Sequence, residues 1–183
     1  MATPLNSIDP ALADFLRAQH VFFVATAPLA PSGHINLSPK GLDTFAVLSP
    51  RRVAYLDLTG SGVETIAHLK ENARIVLMFC AFDAPPKIVR IHGTGRVVES
   101  SSPDFAALAA HFPARPGARA VICIDIARVA VSCGFGVPLM DFKGQRPALD
   151  DWARAKGDVG VREYQLKKNA TSLDALPGLS VQP

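Results

Sequence analysis

The pattern of apolar and polar residues predicts a short amphipathic helix near the start of the chain and a strand directly after it. Asp9 and Pro10 are typical of a helix start, because an Asp side chain caps free backbone N–H groups and proline is tolerated at the first helical position. Apolar residues then recur with helical spacing as far as about Gln19. Residues 21–26 are mostly β-branched or aromatic, which predicts the first strand.

Most of the remaining chain up to residue 131 has the composition of strands. The further predicted strands are 34–38, 44–48, 52–58, 74–82, 88–98 and 120–131. Short helices are predicted at about 63–72 and just after Pro103. Gly93 and Gly95 lie inside a strand pattern and suggest a bulge or a bend. Because the connections have hairpin length and helices are few, the pattern favours a mainly antiparallel barrel or sandwich over a doubly wound parallel sheet.

The length of the chain and the change in its composition after residue 131 predict one domain made of three segments. With 183 residues, the chain is long enough to bury a full core without a metal or disulfide. We expect an N-terminal helix within 1–20 and the barrel itself within 21–131. Residues 132–183 begin with a Gly-rich loop, and two helices, 147–155 and 159–168, are predicted before a Pro- and Gly-containing tail. This last segment is expected to pack on the barrel.

Charge and cysteine content argue against several classes of protein. The net charge of +3 comes without a basic block, which argues against a nucleic-acid-binding protein. The most apolar stretch, 21–37, is interrupted by Pro28, Pro31 and Gly33, so it does not predict a transmembrane helix. Three scattered cysteines and the lack of a signal-peptide pattern favour a cytoplasmic protein with free thiols.

Neither a metal site nor a covalent catalytic site is predicted. The five histidines occur singly, and no H-E-x-x-H or C-x-x-C motif is present. Cys133 lies between Ser132 and Gly134, where a thiolate could be accessible. No dedicated base can be identified for it, so a small residue packed under a Gly turn is the favoured interpretation.

Polar residues are concentrated in two segments that each follow or end a strand. The segment 36–41 places an amide, a hydroxyl, a lysine and a glycine turn within six residues. The segment 59–62, Thr-Gly-Ser-Gly, joins a strand to a helix, and a helix N-terminus offers free N–H groups to an anion such as a phosphate. Alternatively, Ser61 only caps that helix. Arg90 lies within a strand pattern and either faces solvent or binds a phosphate or a ring edge.

Several segments together resemble a known family. Their sequences are F-F-V-A-T-A, N-L-S-P-K-G, Y-L-D-L-T-G-S-G-V-E-T, N-A-R-I-V-L-M-F-C-A-F and I-V-R-I-H-G. In this order and spacing, over residues 12–131, the chain resembles the pyridoxamine 5'-phosphate oxidase-like family of FMN-binding split β-barrel proteins. The segment after residue 131 is similar to an uncharacterised oxidase-related branch of that family.

The resemblance implies a homodimer of split barrels, with a few flanking helices and FMN at the interface. It implies cofactor contacts along the first hairpin, the following strand end, the phosphate loop and one barrel strand: Asn36, Ser38, Lys40, Asp57, Thr59, Gly60, Ser61, Thr65 and Arg90. The loop 132–138, with Cys133 and Gly134, is expected to wall the FMN site of the partner chain.

Two departures from the family pattern change the expected chemistry. The family's basic pair at the phosphate helix is replaced by Val63-Glu64-Thr65, so Lys40 or another basic residue must offset the carboxylate of Glu64. The C-terminal Trp and R-L-x-P elements that hold pyridoxal phosphate have no counterpart here, which argues against vitamin B6 oxidation.

The sequence therefore predicts an FMN-dependent oxidoreductase acting on a small-molecule substrate, with a nicotinamide donor possible and neither the substrate nor a catalytic residue assigned. The alternative is a non-catalytic flavin- or haem-binding protein on the same barrel. Nucleic-acid and membrane partners are not expected.

Overall fold

The computed structural model describes residues 5–180, and the outermost parts of the two predicted terminal segments, 1–4 and 181–183, lie outside the described residues. The strands are β1 (Phe22–Thr26), β2 (Asn36–Lys40), β3 (Phe45–Ser49), β4 (Arg52–Leu58), β5 (Arg74–Cys80), β6 (Ile88–Glu99) and β7 (Ala118–Ser132). The helices are α1 (Pro10–Ala18), α2 (Glu64–Asn72), α3 (Phe105–Ala109) and α4 (Ala148–Lys168).

The seven strands form one antiparallel sheet in the order β2-β1-β5-β6-β7-β4-β3. The long strands β6 and β7 pair along their whole length, and their register shifts between His92 and Gly93. A shift of this kind bends a strand, which agrees with the bulge or bend predicted from Gly93 and Gly95.

The sheet curls so that aromatic side chains from strands near its two ends meet inside it, as in a barrel. The ring of Phe22 on β1 lies 5.6 Å from that of Phe45 on β3, and 5.7 Å from that of Tyr55 on β4. These contacts join strands from opposite ends of the sheet order, and the rings are part of the main apolar core. The predicted mainly β barrel is confirmed.

The ends of the helices agree with the sequence in part. Asp9 caps α1 as predicted, because its Oδ1 accepts the backbone N–H of Leu12 at 2.7 Å. The interpretation of Ser61 as a helix cap is wrong: α2 begins at Glu64, its N-cap position is Val63, and no side chain in the described part of the chain caps it.

The C-terminal helix region agrees with the prediction of two helices. The helices predicted at 147–155 and 159–168 both lie within α4, on either side of a kink at Gly157, where φ is +64° and ψ is 172° and the backbone is not helical. Glycine reaches this conformation without the steric penalty of a Cβ, so the chain turns there between the two helical segments. No helix in the described part of the chain combines the length and apolar character needed to cross a bilayer.

Candidate functional site

A cavity of about 340 Å³ with both polar and apolar walls lies between β2, the end of β4 and the start of α2. This volume is within the range of small-molecule sites. Its lining includes five of the residues that the sequence singled out: Asn36, Ser38, Lys40, Gly60 and Thr65. Apolar groups complete the walls: Pro39, Leu42, Leu56, Leu58 and Leu149. The two predicted polar segments therefore meet at one place.

The alternation of β2 explains why its polar residues reach the cavity. Asn36, Ser38 and Lys40 are partly buried, whereas Leu37 and Pro39 between them are exposed. Because successive side chains of a strand point to opposite faces, the three polar residues share the inner face. The sequence N-L-S-P-K thus places its polar side chains on the inner face and Leu37 on the outer face, the reverse of an ordinary surface strand.

A chain of hydrogen bonds fixes the amide of Asn36. Its Nδ2 donates to Oγ1 of Thr65 at 3.0 Å and to Oγ1 of Thr26 at 3.2 Å. The hydroxyl of Ser38 donates to Asn36 Oδ1 at 2.9 Å. With both ends of the amide engaged, its orientation at the cavity wall is set.

His68 lies behind this network. Its Nδ1 is 2.9 Å from Oγ1 of Thr26, and its side chain is fully buried. Burial lowers the pKa of His68, although the charges of nearby carboxylates oppose this effect, so the neutral imidazole is favoured. The residue thus supports Thr26 and, through it, Asn36.

Three charged side chains form a cluster at the cavity wall. Lys40 Nζ lies 2.7 Å from Oδ1 of Asp57, and Arg119 Nε donates to Oδ2 of Asp57 at 2.7 Å. Asp57 is completely buried. Burial alone would raise the pKa of Asp57, but the two cations and their hydrogen bonds outweigh it and lower the pKa to about 2. The cluster therefore carries two positive charges and one negative charge at neutral pH.

Strand register brings Asp57 and Arg119 together. Asp57 on β4 pairs with Ala120 on β7, directly after Arg119. The register shifts between Asp57 and Leu58, so Arg119 has no partner residue on β4. Sequence reasoning missed Arg119, which is separated from Asp57 by 62 positions, and only the pairing of β4 with β7 reveals the contact.

The Thr-Gly-Ser-Gly loop divides into buried and exposed parts. Thr59 is buried, donates to the carbonyl of Gly117 at 2.8 Å and accepts from Gln165 Nε2 at 2.7 Å. Gly60 lines the cavity, whereas the side chain of Ser61 is exposed and is not among the lining groups. Thr59 therefore anchors the loop to the residue just before β7 and to α4, and Gly60 borders the cavity.

Glu64 is the carboxylate that lines the cavity at the start of α2. Its Oε1 accepts the backbone N–H of Leu173 at 3.2 Å. The C-terminal tail therefore holds this side chain at the edge of the site.

The other predicted residues lie away from the cavity within one chain. Arg90 on β6 is half-buried, and its Nη1 donates to Ser132 Oγ at 3.3 Å. Cys133 is exposed. Gly134 has a φ of +69°, and a Cβ there would lie 2.8 Å from the backbone nitrogen of Lys87, so its glycine is required by a contact within the same chain.

Comparisons with known proteins agree with the fold and identify the family. The family model described as pyridoxamine 5'-phosphate oxidase matches residues 8–133. The pyridoxamine 5'-phosphate oxidase family protein ustO of Aspergillus flavus is 46% identical over 191 residues, which cover 95% of this chain and 76% of that protein.

Solved structures show the same fold at low sequence identity. A candidate pyridoxamine 5'-phosphate oxidase from Lactobacillus delbrueckii has a TM-score of 0.56 and 20% identity, with 70% of this chain and 99% of that one covered. A HupZ variant from Group A Streptococcus has a TM-score of 0.53 and 19% identity, with 68% and 99% covered. From the match of the family model and the identity with ustO, the chain belongs to the pyridoxamine 5'-phosphate oxidase family.

Proposed function

We propose that this protein is an FMN-dependent oxidoreductase whose cavity between β2, β4 and α2 holds the phosphate end of the flavin. The observation that carries the proposal is the cluster of Lys40 and Arg119 around the buried Asp57 at the cavity wall. Two cations sharing one carboxylate retain free N–H donors and an excess positive charge, which suit a phosphomonoester.

The remaining lining suits the other parts of the same molecule. No side chain among residues 5–180 caps the first turn of α2, so its free backbone N–H groups could bind an anion at the positive end of the helix. The donors of Asn36 and Ser38 are already engaged, but the amide oxygen of Asn36 and the hydroxyl oxygen of Ser38 can each accept a further hydrogen bond from a polyhydroxyl chain. Leucine side chains along β4 and α4 supply an apolar surface for a flat ring.

Bound FMN would supply the transfer of a hydride or of electrons. The chain would supply binding and orientation. Asp57 holds Lys40 at a fixed place, and Thr26 and Thr65 hold the Asn36 amide, so these groups meet the cofactor without reorganising. Fixed positive charge at Lys40 would offset the charge of the bound phosphate.

We also propose that the active form is a homodimer with the flavin between the two copies. Large apolar side chains are exposed on the edge strand β2 and just before it, with Leu37 64% and Ile35 77% exposed. The loop after β7 exposes Phe135 at 83%. A second copy would cover these groups. In such a dimer, the cofactor would lie in a site that both chains form, and only there would it contact Arg90, Cys133 and Gly134.

Sedimentation of the purified protein tests the dimer. We expect a twofold assembly that Leu37→Asp dissociates, whereas the matched change at the exposed Val159 of α4, Val159→Asp, leaves it intact. A monomer at micromolar concentration would contradict this part of the proposal.

Flavin content and reduction test the function. The purified or reconstituted protein should be yellow and should release FMN, not riboflavin or FAD, when it is denatured. Anaerobic addition of NADPH or NADH should bleach the flavin. Lys40→Ala should reduce FMN content, whereas Lys143→Ala, which removes an exposed lysine outside the cavity, should not. A protein that takes up no flavin would contradict the proposal, and one that binds FMN that no donor reduces would contradict its enzymatic part.

A further inference from the structure

Arg119 is a buried cation with unused hydrogen-bonding capacity. Its side chain is 6% exposed, and its Nε donates to Asp57. Its Nη1 is buried and has no hydrogen-bond partner among residues 5–180. Leaving a buried charged donor unpaired is costly, so an orphaned guanidinium nitrogen indicates a partner that the folded chain itself does not provide.

The charges around Arg119 identify the kind of partner. Asp57 neutralises only one of the two cations that contact it, so the cluster of Lys40, Asp57 and Arg119 keeps one net positive charge. Asp57 and Arg119 are buried, and the side chain of Lys40 is 20% exposed. A buried excess charge favours a counter-ion strongly, because the local dielectric screens it poorly. The missing partner is therefore an anion.

Helix α2, which borders the same cavity, supplies no lysine or arginine to its lining. Its start carries Glu64, and its first lysine or arginine is Lys70, which is paired with Glu99 and the tail. The cavity lining contains two cations, Lys40 and Arg119. A phosphate placed at the N–H groups of α2 must draw its charge compensation from these two.

We infer that Arg119 is a phosphate-binding residue of this cavity and determines its preference for a phosphorylated flavin over an unphosphorylated one. The inference rests on the proposed flavin site. Lys40 and the N-terminus of α2 contact the same phosphate, while Asp57 positions both cations. The phosphomonoester is that of FMN, and free inorganic phosphate is the simplest competitor for the same donors.

Two flavins that differ only in the phosphate test the inference. Dissociation constants for FMN and for riboflavin are measured by fluorescence titration on the full chain, and the ratio between them is the readout. Arg119→Met should reduce the preference for FMN by about 10- to 100-fold, as expected for a lost charge-assisted hydrogen bond, and should change riboflavin affinity little.

Matched variants separate binding from folding. Arg52→Met removes an arginine from the same pair of strands but outside the cavity, and should leave the ratio unchanged. Arg119→Lys keeps the charge but loses the paired donors of the guanidinium, so it should reduce the ratio by about three- to tenfold. If Arg119→Met does not fold, the lysine variant and Asp57→Asn/Arg119→Met, which removes both partners, carry the test.

Inorganic phosphate supplies the second arm of the experiment. At constant ionic strength, it should weaken the binding of FMN to the unmodified chain and leave riboflavin binding unchanged. In Arg119→Lys this competition should weaken in parallel with the ratio.

The possible outcomes are distinguishable. An unmodified chain that binds neither flavin contradicts the proposed function and this inference with it. An unmodified chain that prefers FMN, together with folded Arg119 variants of unchanged ratio, overturns the role of Arg119 alone. Equal losses of FMN and riboflavin in those variants would make Arg119 a purely structural residue and would also overturn the inference.

Discussion

The two ends of the β4–β7 ladder carry ion pairs of the same chemical type and almost the same length. At one end, Arg52 Nε lies 2.6 Å from Asp125 Oδ1, and the two side chains are 54% and 64% exposed. At the other end, Arg119 Nε lies 2.7 Å from Asp57 Oδ2, and the side chains are 6% and 0% exposed. Distance therefore does not distinguish the pairs, but burial does.

Burial changes what each pair can do. Water screens the exposed pair, and such pairs contribute little to stability. The buried pair has lost its hydration, so removal of one partner leaves an uncompensated charge in the interior. Lys40 joins only the buried pair, and only that pair borders the cavity. The difference assigns the functional role to the buried end of the ladder.

The largest expected effect is that of Asp57→Asn. It leaves two buried cations without their shared carboxylate and should lower the free energy of unfolding by about 3–5 kcal/mol. Chemical denaturation measures this change. Asp125→Asn, the matched change at the exposed end, should leave the midpoint of unfolding unaltered. Similar losses in the two variants would remove the distinction between the ends.

Lowering the pH should reveal the contribution of the buried pair to stability without a mutation. Because the pKa of Asp57 is lowered to about 2 in the folded chain, its contribution to stability is present above its unfolded pKa and is lost as the pH falls through about 2. The loss should amount to about 2 kcal/mol between roughly pH 5 and pH 2. Asp57→Asn should flatten this part of the curve of stability against pH, and an equally steep curve would contradict the assignment.

A smaller effect is expected for Lys40→Met, which leaves the pair of Asp57 and Arg119 in place. Loss of one charge-assisted hydrogen bond to the phosphate should weaken FMN binding by about 1.5 kcal/mol, roughly tenfold. Isothermal titration with FMN measures it, and Lys143→Met is the control outside the cavity. Unchanged FMN affinity would separate Lys40 from the phosphate site.

The smallest expected effect is a gain. Glu64→Gln removes the carboxylate that lines the cavity while it keeps a side-chain oxygen for the N–H of Leu173. Reduced repulsion between this side chain and the phosphate should tighten FMN binding roughly two- to fivefold. The favourable interaction of Glu64 with the helix dipole is also lost, but that loss lowers the stability of the folded protein and not its affinity for FMN. Riboflavin titration is the control, and a loss of FMN affinity would show that Glu64 assists binding.

The local pattern of residues was sufficient to predict the barrel and the part of the candidate site that lies on β2. The alternation of β2 places Asn36, Ser38 and Lys40 on one face, and each strand was recognisable from its own residues. Arg119 was not predictable, because its role depends on a register shift between strands that are distant in the chain. The burial of His68 under Thr26 is likewise a tertiary contact that a helical pattern does not encode.

The same limit applies to the residues expected at the flavin from the other side. Arg90 and Cys133 follow from a resemblance to dimeric proteins, and a single chain keeps both away from the cavity. Their expected role depends on a second copy, which no pattern within one sequence specifies.

A crystal structure of the protein reconstituted with FMN tests the central claim most directly. We predict that the phosphate lies at the start of α2, within hydrogen-bond distance of Lys40 Nζ and of the Arg119 guanidinium. A phosphate found elsewhere, for example in the separate cavity between Glu99 and Ser180 on the other side of Arg119, would contradict the account.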